Sequence, residues 1–277
     1  MRTEIVTSGL LRDWPLPSLD DDDDKHDRGT VLVVGGSVSV PGAALLAGTA
    51  ALRAGAGRLM VATTRSTAVA LGVALPEALV AGLPETGEGG VDPSALDEVI
   101  GMVDRASAVV IGPGMMDAPA VAGLCEGVLE RVDHDGPVVV LDAAAVTALP
   151  ADRPLWDRVV LTPNRTELDA ISGGGPETVA ADRTAVVAVR GRIAAPDGRV
   201  WHHDGGTVGL ATSGSGDVLA GVIAGLAARG ADAAQATVWG VHAHGRAGER
   251  LAARVGVGFL ARQLLDELPA AFRELAS

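Results

Sequence analysis

The sequence 209-GLATSGSGDVLAG-221 passes from small residues directly into an apolar helical pattern. Because no bulky side chains are in the way, the backbone N–H groups of residues 214–217 can face an anion. The N-terminus of the following helix adds its partial positive charge. The segment therefore predicts a phosphate-binding loop, although it lacks the Gly-Lys-Ser/Thr of a Walker A loop.

Asp217 is the candidate catalytic residue of this loop. It falls in the first turn of the predicted helix, beside the anion site. A carboxylate there can accept a proton from a hydroxyl that attacks a phosphoryl group. The alternative is an acidic residue that only interacts favourably with the helix dipole, since such residues are common in first turns. The residues alone leave both interpretations open.

Upstream of the loop, short β-branched runs alternate with helical stretches. The runs predicted as buried strands are Val31–Val34, Leu59–Ala62, Ala108–Ile111, Val138–Leu141 and Val159–Leu161. Continuous apolar strands separated by helices indicate a parallel sheet that is covered on both faces. An antiparallel flank is predicted for the three strands that follow, Val186–Val189, Ile193–Ala195 and Val200–His202. After Asp217 the chain is predicted to be almost all helix.

Several of these strands end in residues that are unusual in plain connectors. They are Gly35-Gly36-Ser37, Gly112-Pro113-Gly114, Asp142 and Thr162-Pro163-Asn164. Each has a structural interpretation, as a tight turn or as a cap of the next helix, for Thr162 with a proline in the first helical position. Ligands of open α/β sheets bind beyond the carboxyl ends of the strands. The joint placement of these residues therefore favours a functional site at that edge.

The bulk composition limits the classes of function. Acidic residues outnumber basic ones by 35 to 22, the net charge is −13, and aromatic residues make up 2%. Such a chain is a poor binder of phosphate backbones and offers few rings for base stacking, so no nucleic-acid partner is expected. Cys125 is the single cysteine, which excludes an intrachain disulfide and fits a reducing compartment. We therefore expect a cytoplasmic protein.

The organisation of the chain is simple. Residues 29–52 carry no charge and are long enough to cross a membrane. Glycine, serine and proline at positions 35–42 divide them into a strand, a turn and a helix, so no membrane span is expected. Residues 1–28 are predicted to be a lead-in segment, in which the run Asp20–Asp24 is a solvated surface. Residues 29–277 are predicted to form a single domain.

Segments along nearly the whole chain after residue 25 resemble the NAD(P)H-hydrate dehydratases. Residues 25–62 resemble the opening of that family. The other matching segments are VVIGPGM at 109–115, VVVLDA at 138–143, LTPNRTEL at 161–168 and GLATSGSGDVLAGVIAGL at 209–226. This resemblance implies a ribokinase-like three-layer α/β sandwich with a mostly parallel central sheet flanked by helices.

The resemblance also implies a reaction. Members of the family dehydrate NADHX and NADPHX, the hydrated forms of NADH and NADPH, by phosphorylating the added hydroxyl with ADP or ATP and then eliminating phosphate. By position, Asp217 would be the base that activates the hydroxyl, and Gly214, Ser215 and Gly216 would hold the transferred phosphoryl group. The resemblance further implies Mg²⁺ that bridges the phosphates. It also implies a homo-oligomer, expected as a tetramer.

Further site residues follow from the same resemblance. Ala43, Gly114 and Asn164 would contact the hydrated cofactor together with Asp217. The residues that would line the adenosine-nucleotide site are Arg190, Gly191, Arg192, Ile193 and Ala194. Asp142 and Glu167 are additional candidates, and no metal-ligating residue is assigned.

Several positions depart from the family pattern. The chain has Ala144 in place of Asp, Asn164 in place of His, Thr166 in place of Gly, Arg190 in place of Lys and Thr207-Val208 in place of an Asn-containing stretch. The helix that precedes the strand at Val186 is predicted to be truncated. These departures motivate one alternative, a nucleotide-binding protein without turnover. The other is a small-molecule kinase of the same fold, acting for example on a thiamin precursor.

The histidines and tryptophans are not assigned to the site. His242 and His244 lie two residues apart on a predicted helix and therefore face different sides, with His244 nearer the site. Both are interpreted as packing residues. His202 and His203 are interpreted as structural or surface residues, because no metal-ligand partners are evident nearby.

Overall fold

The computed structural model describes residues 3–18, 25–132 and 134–276, and the run Asp20–Asp24 lies outside them. The strands are Thr3–Ile5 (β1), Thr30–Val34 (β2), Arg58–Thr64 (β3), Ala78–Leu83 (β4), Ala108–Ile111 (β5), Val138–Leu141 (β6), Val159–Leu161 (β7), Val186–Val189 (β8), Arg192–Ala194 (β9) and Val200–His202 (β10). The helices are Ser8–Asp13 (α1), Gly42–Arg53 (α2), Arg65–Ala74 (α3), Leu96–Val103 (α4), Ala118–Arg131 (α5), Ala144–Ala148 (α6), Arg165–Ile171 (α7), Pro176–Arg183 (α8), Ser215–Ala228 (α9), Ala233–Val255 (α10) and Ala261–Ala276 (α11). Across the described ranges, no helix has the length and apolar content that a membrane crossing needs.

All these strands lie in one sheet, in the order β1-β10-β9-β8-β7-β6-β5-β2-β3-β4. The strands from β8 to β4 in that order pair in parallel. Strand β9 is antiparallel to both β8 and β10, and β1 closes the edge parallel to β10. The predicted parallel sheet and its antiparallel flank are confirmed.

Helices cover both faces of the sheet. Val31 and Val33 of β2 pack into one apolar core, and Leu32 and Val34 pack into the other. The first core is completed by α2, α9, α10 and α11, and the second by α4, α5 and α7. Because successive strand side chains point to opposite faces, a wholly apolar strand needs cover on both sides. The three-layer α/β sandwich is confirmed.

Strand prediction fails where the apolar signal is weak. Strand β4 is absent from the sequence-based prediction, because it contains a glycine and lies half-exposed at the edge of the sheet. Such a segment has neither a continuous apolar run nor clean alternation. The predicted truncation before β8 corresponds to the eight-residue helix α8.

Small residues bring α2 and α9 together. A Cβ atom on Gly221 would lie 2.1 Å from the carbonyl oxygen of Ala47, and one on Gly225 would lie 2.4 Å from that of Ala51. Only glycine permits so close an approach between two helix backbones. This contact fixes the position of α9, and therefore of the glycine-rich loop at its N-terminus.

The predicted lead-in segment is partly built into the domain, which corrects the boundary at residue 28. Strand β1 pairs with β10, and the side chain of Leu11 in α1 is fully buried. The ring of Trp14 stacks on that of Trp201 with centroids 5.7 Å apart. A three-residue strand next to prolines carries almost no local signal, so only its pairing with β10 reveals it.

Leu11→Ala is expected to lower the free energy of unfolding by about 2–5 kcal/mol, because it leaves a cavity under α1. Urea unfolding monitored by circular dichroism measures the change. The matched control is Val69→Ala, since the Val69 side chain is 79% exposed and its truncation should cost less than about 0.5 kcal/mol. Equal stability of Leu11→Ala and the wild type would show that the lead-in segment contributes nothing to the fold.

Candidate active site

The loops that follow β2 and β5 pack against each other at the carboxyl edge of the sheet. The amide of Gly36 donates to the carbonyl of Pro113 at 2.7 Å. A Cβ atom on Gly114 would lie 2.7 Å from the Cβ of Ala43, so these two candidate residues are direct neighbours. The strand ends are therefore brought together, and their glycines permit a close packing that a Cβ atom would prevent.

The glycine-rich loop ends at Gly214, which adopts a left-handed conformation (φ 90°) as the N-cap of α9. The amide of Ser215 donates to the carbonyl of Thr212 at 3.2 Å. The amides of Gly214, Gly216 and Asp217 have no acceptor within the described chain and are free for an anion. This corrects the prediction that all four amides of residues 214–217 face a ligand, because the turn itself uses that of Ser215.

Three carboxylates line one small cavity beside this loop. Asp142, Glu167 and Asp217 surround a space of about 240 Å³ that Gly214 and Gly216 also border. The sequence does not reveal that these residues meet, since they belong to three separate parts of the chain: Asp142 follows β6, Glu167 lies in α7 and Asp217 lies in α9. The negative charges of Asp217 and Glu167 raise the proton affinity of Asp142, and a carboxylate perturbed in this way is typical of sites that move protons.

Asp142 lies at the end of β6 and is buried, with 5% of its surface exposed. Its carboxylate accepts a hydrogen bond from the Thr162 hydroxyl at 2.7 Å. Burial raises the pKa of Asp142 to about 7, the Thr162 hydrogen bond acts against this rise, and the charges of Asp217 and Glu167 add to it. The group can therefore carry or release a proton near neutral pH.

The backbone after Asp142 is strained. Ala143 has φ 48° and ψ −123°, a conformation that only glycine adopts at low cost. Residues outside the common regions persist where the surrounding structure requires them, and they cluster at functional sites. The carbonyl of Asp142, just before Ala143, packs against Gly112, where an added Cβ atom would lie 1.8 Å from that oxygen.

Asp217 occupies the first turn of α9 and is half-buried. Burial raises its pKa to about 6. At neutral pH the carboxylate is therefore mostly ionised, yet more basic than an exposed aspartate. Its pKa lies close to working pH, which is where a general base is most effective.

Asn164 and Glu167 form a capping box at the start of α7. The Glu167 amide donates to Asn164 Oδ1 at 3.0 Å, and the Asn164 amide donates to Glu167 Oε2 at 2.8 Å. The cap is thus Asn164, whereas the sequence suggests Thr162 with a following proline in the helix. Thr162 instead turns its hydroxyl to Asp142, and Asp142 does not cap a helix, since Ala143 precedes α6.

A larger cavity of about 470 Å³ adjoins the loop, between the β8–β9 turn and the helices α9 and α10. Arg190 and Gly191 line it, both with positive φ, of 48° and 80°. The other residues assigned with them do not line it. Ile193 and Ala194 point to opposite faces of the sheet and are buried in its two apolar cores, and Arg192 forms an ion pair with Glu177.

His244 belongs to the site, although the sequence offers only its position on a helix face. Its Nε2 lies 3.1 Å from the Ser215 hydroxyl, and both residues line the larger cavity. His242 contacts Nδ1 of His203 at 3.2 Å. The prediction that His242 and His244 face different sides is confirmed.

The sheet, its antiparallel flank and the glycine-rich loop at the N-terminus of α9 define a ribokinase-like protein. A ribokinase-like superfamily protein of Enterococcus faecalis superimposes with a TM-score of 0.86 at 23% identity, covering 99% of this chain and 96% of that one. At that identity the likeness shows the fold.

Sequence comparison is more specific. The chain belongs to the NAD(P)H-hydrate dehydratase family, whose profile matches residues 31–270. It is 46% identical to the ADP-dependent (S)-NAD(P)H-hydrate dehydratase of Xanthomonas campestris pv. campestris, over 97% of this chain and 96% of that protein. The Bacillus subtilis ADP/ATP-dependent NAD(P)H-hydrate dehydratase, co-crystallized with ATP/Mg²⁺, has a TM-score of 0.83 and 29% identity and covers 99% of both chains. The chain spans 54% of a bifunctional NAD(P)H-hydrate repair enzyme from Moorella thermoacetica.

Proposed function

We propose that this chain dehydrates (S)-NADHX and (S)-NADPHX to NADH and NADPH with ADP or ATP as the phosphoryl donor. The observation that carries the proposal is the Asp217 carboxylate in the first turn of α9, beside amides that are free for an anion. A phosphate site and a base at one helix terminus are what phosphorylation of a hydroxyl requires. The close relationship to the Xanthomonas enzyme supports the choice of substrate.

The first step is phosphorylation. Asp217 accepts the proton of the added hydroxyl while that oxygen bonds to the terminal phosphorus of the nucleotide, and the bond to the leaving nucleotide breaks. The amides of Gly214, Gly216 and Asp217 stabilise the negative charge of the phosphoryl oxygens. In the second step the carbon–oxygen bond breaks, phosphate leaves with the electron pair, and loss of a proton from the neighbouring carbon restores the double bond.

The two cavities provide places for the two substrates. The nucleotide fits the larger cavity beside Arg190 and Gly191, with its phosphates at the glycine-rich loop. The hydrated ring then lies over Asp217 on the side of Ala43 and Gly114, which are direct neighbours. Asn164 borders both cavities and can contact either substrate.

Mg²⁺ is proposed as the ion that neutralises the nucleotide phosphates. In the described ranges, no group of three or more histidine, cysteine, aspartate or glutamate side chains is arranged to hold a metal ion. Magnesium is usually held by one or two carboxylates together with substrate phosphates. Asp142 and Glu167 are the carboxylates of the small cavity that could complete its coordination.

The test is regeneration of the reduced cofactor. Purified protein is mixed with hydrated NADH, Mg²⁺ and either ADP or ATP, and the near-ultraviolet absorbance of the reduced ring is followed. A nucleotide-dependent rise is expected, and the two nucleotides are ranked by rate. Thermal stabilisation by nucleotide without any rise would instead support a binder without turnover. Release of a stable phosphorylated alcohol from a vitamin precursor would support the kinase alternative.

The pH dependence of the reaction should follow Asp217. Its ionised form is the base, so kcat/KM is expected to level off above about pH 7 and to fall about tenfold per unit below about pH 6. Initial rates across this range measure the profile. Far-ultraviolet circular dichroism at each pH checks that the protein stays folded. A profile that is flat down to about pH 5 would contradict the assignment of Asp217 as the base.

A homotetramer stays a prediction from the sequence resemblance, and a cytoplasmic location stays a prediction from the single cysteine. Light scattering coupled to size exclusion measures the assembly, and a monomer in solution would contradict the first prediction. Fractionation of cells that express the chain measures its location.

A further inference from the structure

Ser215 differs from its neighbours in the glycine-rich loop. Its amide is engaged by the carbonyl of Thr212 at 3.2 Å, whereas the amides on either side are free. Any contact of Ser215 with an anion must therefore be made by its hydroxyl. That hydroxyl lies 3.1 Å from Nε2 of His244, and both residues line the larger cavity.

The pair is sheltered from solvent. Ser215 is 5% exposed and His244 is 8% exposed. Burial lowers the pKa of His244 to about 4, so the imidazole is neutral at physiological pH. A neutral imidazole carries one N–H group, and its partner nitrogen can only accept.

The charge of a bound phosphate selects between the two tautomers of His244. With the proton on Nε2, the ring donates to Ser215 Oγ, and the hydroxyl hydrogen is free to donate to a phosphate oxygen. With the proton on Nδ1, the hydroxyl donates to the ring, and the lone pairs of Oγ face the phosphate. The second arrangement is repulsive, so an anion in the cavity favours the first.

We propose that Ser215 binds a phosphate oxygen of the nucleotide through its hydroxyl and that His244 is the positioning residue that aims it. The identity of the ligand as a nucleotide rests on the proposed function. The contact between Ser215 and His244 and the free amides of the loop require only that some anion binds at the N-terminus of α9. In this arrangement the loop offers three amides and one hydroxyl, and a residue 29 positions away sets the direction of the hydroxyl.

The test compares Ser215→Ala, His244→Leu, the double variant and His244→Gln. Calorimetry gives the affinity for ADP, and the absorbance assay gives kcat and the KM for ADP. Ser215→Ala and His244→Leu should each weaken ADP binding about tenfold, the scale of one hydrogen bond to a charged group. The double variant should be no weaker than either single variant. His244→Gln should recover most of the affinity, because a glutamine amide can donate to Ser215.

The matched control is His242→Gln, two residues away on the same helix. His242 is equally buried but contacts His203 instead of the loop, so its ADP affinity should stay within about twofold of wild type. Wild-type affinity in Ser215→Ala would overturn the proposal, and so would strictly additive losses in the double variant. Absence of turnover by the wild type would contradict the proposed function instead, while calorimetry with ADP would still test the pair.

Discussion

Asp217→Asn is expected to reduce kcat by about 10²-fold or more, the scale on which loss of a general base acts. Asparagine keeps the size and the helix position of the side chain but cannot accept the hydroxyl proton. Binding of ADP should be retained or become tighter, because the substitution removes a negative charge that faces the phosphates. Single-turnover kinetics and calorimetry with ADP measure the two effects separately.

An exposed carboxylate that lines neither cavity provides the control. Asp97→Asn removes the same charge from a side chain that is 90% exposed, and its effect on kcat should be within about twofold. Normal turnover by Asp217→Asn would refute the role of Asp217 as the base. Loss of ADP binding in that variant would indicate damage to the loop and not to proton transfer.

Gly112→Ala is expected to lower the free energy of unfolding by about 3 kcal/mol or more and to impair activity. Gly112 has φ 122°, which is unfavourable for any residue with a Cβ atom, and the new atom would lie 1.8 Å from the Asp142 carbonyl oxygen. The backbone at Asp142 must move to relieve this clash. Urea unfolding measures the stability, and the absorbance assay measures the loss of activity.

Gly101→Ala is the matched control for that variant. Gly101 lies in α4, and a Cβ atom placed on it meets no other atom within 4 Å. Alanine is favoured over glycine in a helix, so this variant should gain up to about 1 kcal/mol. A similar loss of stability in both variants would show that the destabilisation of Gly112→Ala does not come from the contact with Asp142.

Local patterns carry most of the strand and loop predictions. The bounds of β5, β6, β7, β8 and β10 match the predicted runs, because continuous β-branched residues have few other stable conformations. The anion loop is local as well, since glycines that lead into a helix expose amides whatever lies around them. Local patterns do not predict strand β4, because its apolar pattern is weak and the segment forms a strand through its pairing with β3.

Local sequence patterns predict only part of the candidate site. The sequence identifies Asp217 and the strand ends, but not that Asp142 and Glu167 share a cavity with Asp217. It also extends the nucleotide site to Ile193 and Ala194, which the sheet buries. Whether both faces of a three-residue strand are buried depends on the elements packed against them, and no local pattern fixes that.

By itself, then, the sequence determined the parallel sheet, its antiparallel flank and the glycine-rich loop with its acidic residue, because each depends on neighbours within a few positions. Only the tertiary structure decided the raised pKa values of Asp142 and Asp217 and the contact between Ser215 and His244. Burial and contacts between distant residues arise from the order of strands in the sheet and the packing of α9 against α2 and α10. Those arrangements bring together ionisable side chains that lie far apart in the sequence.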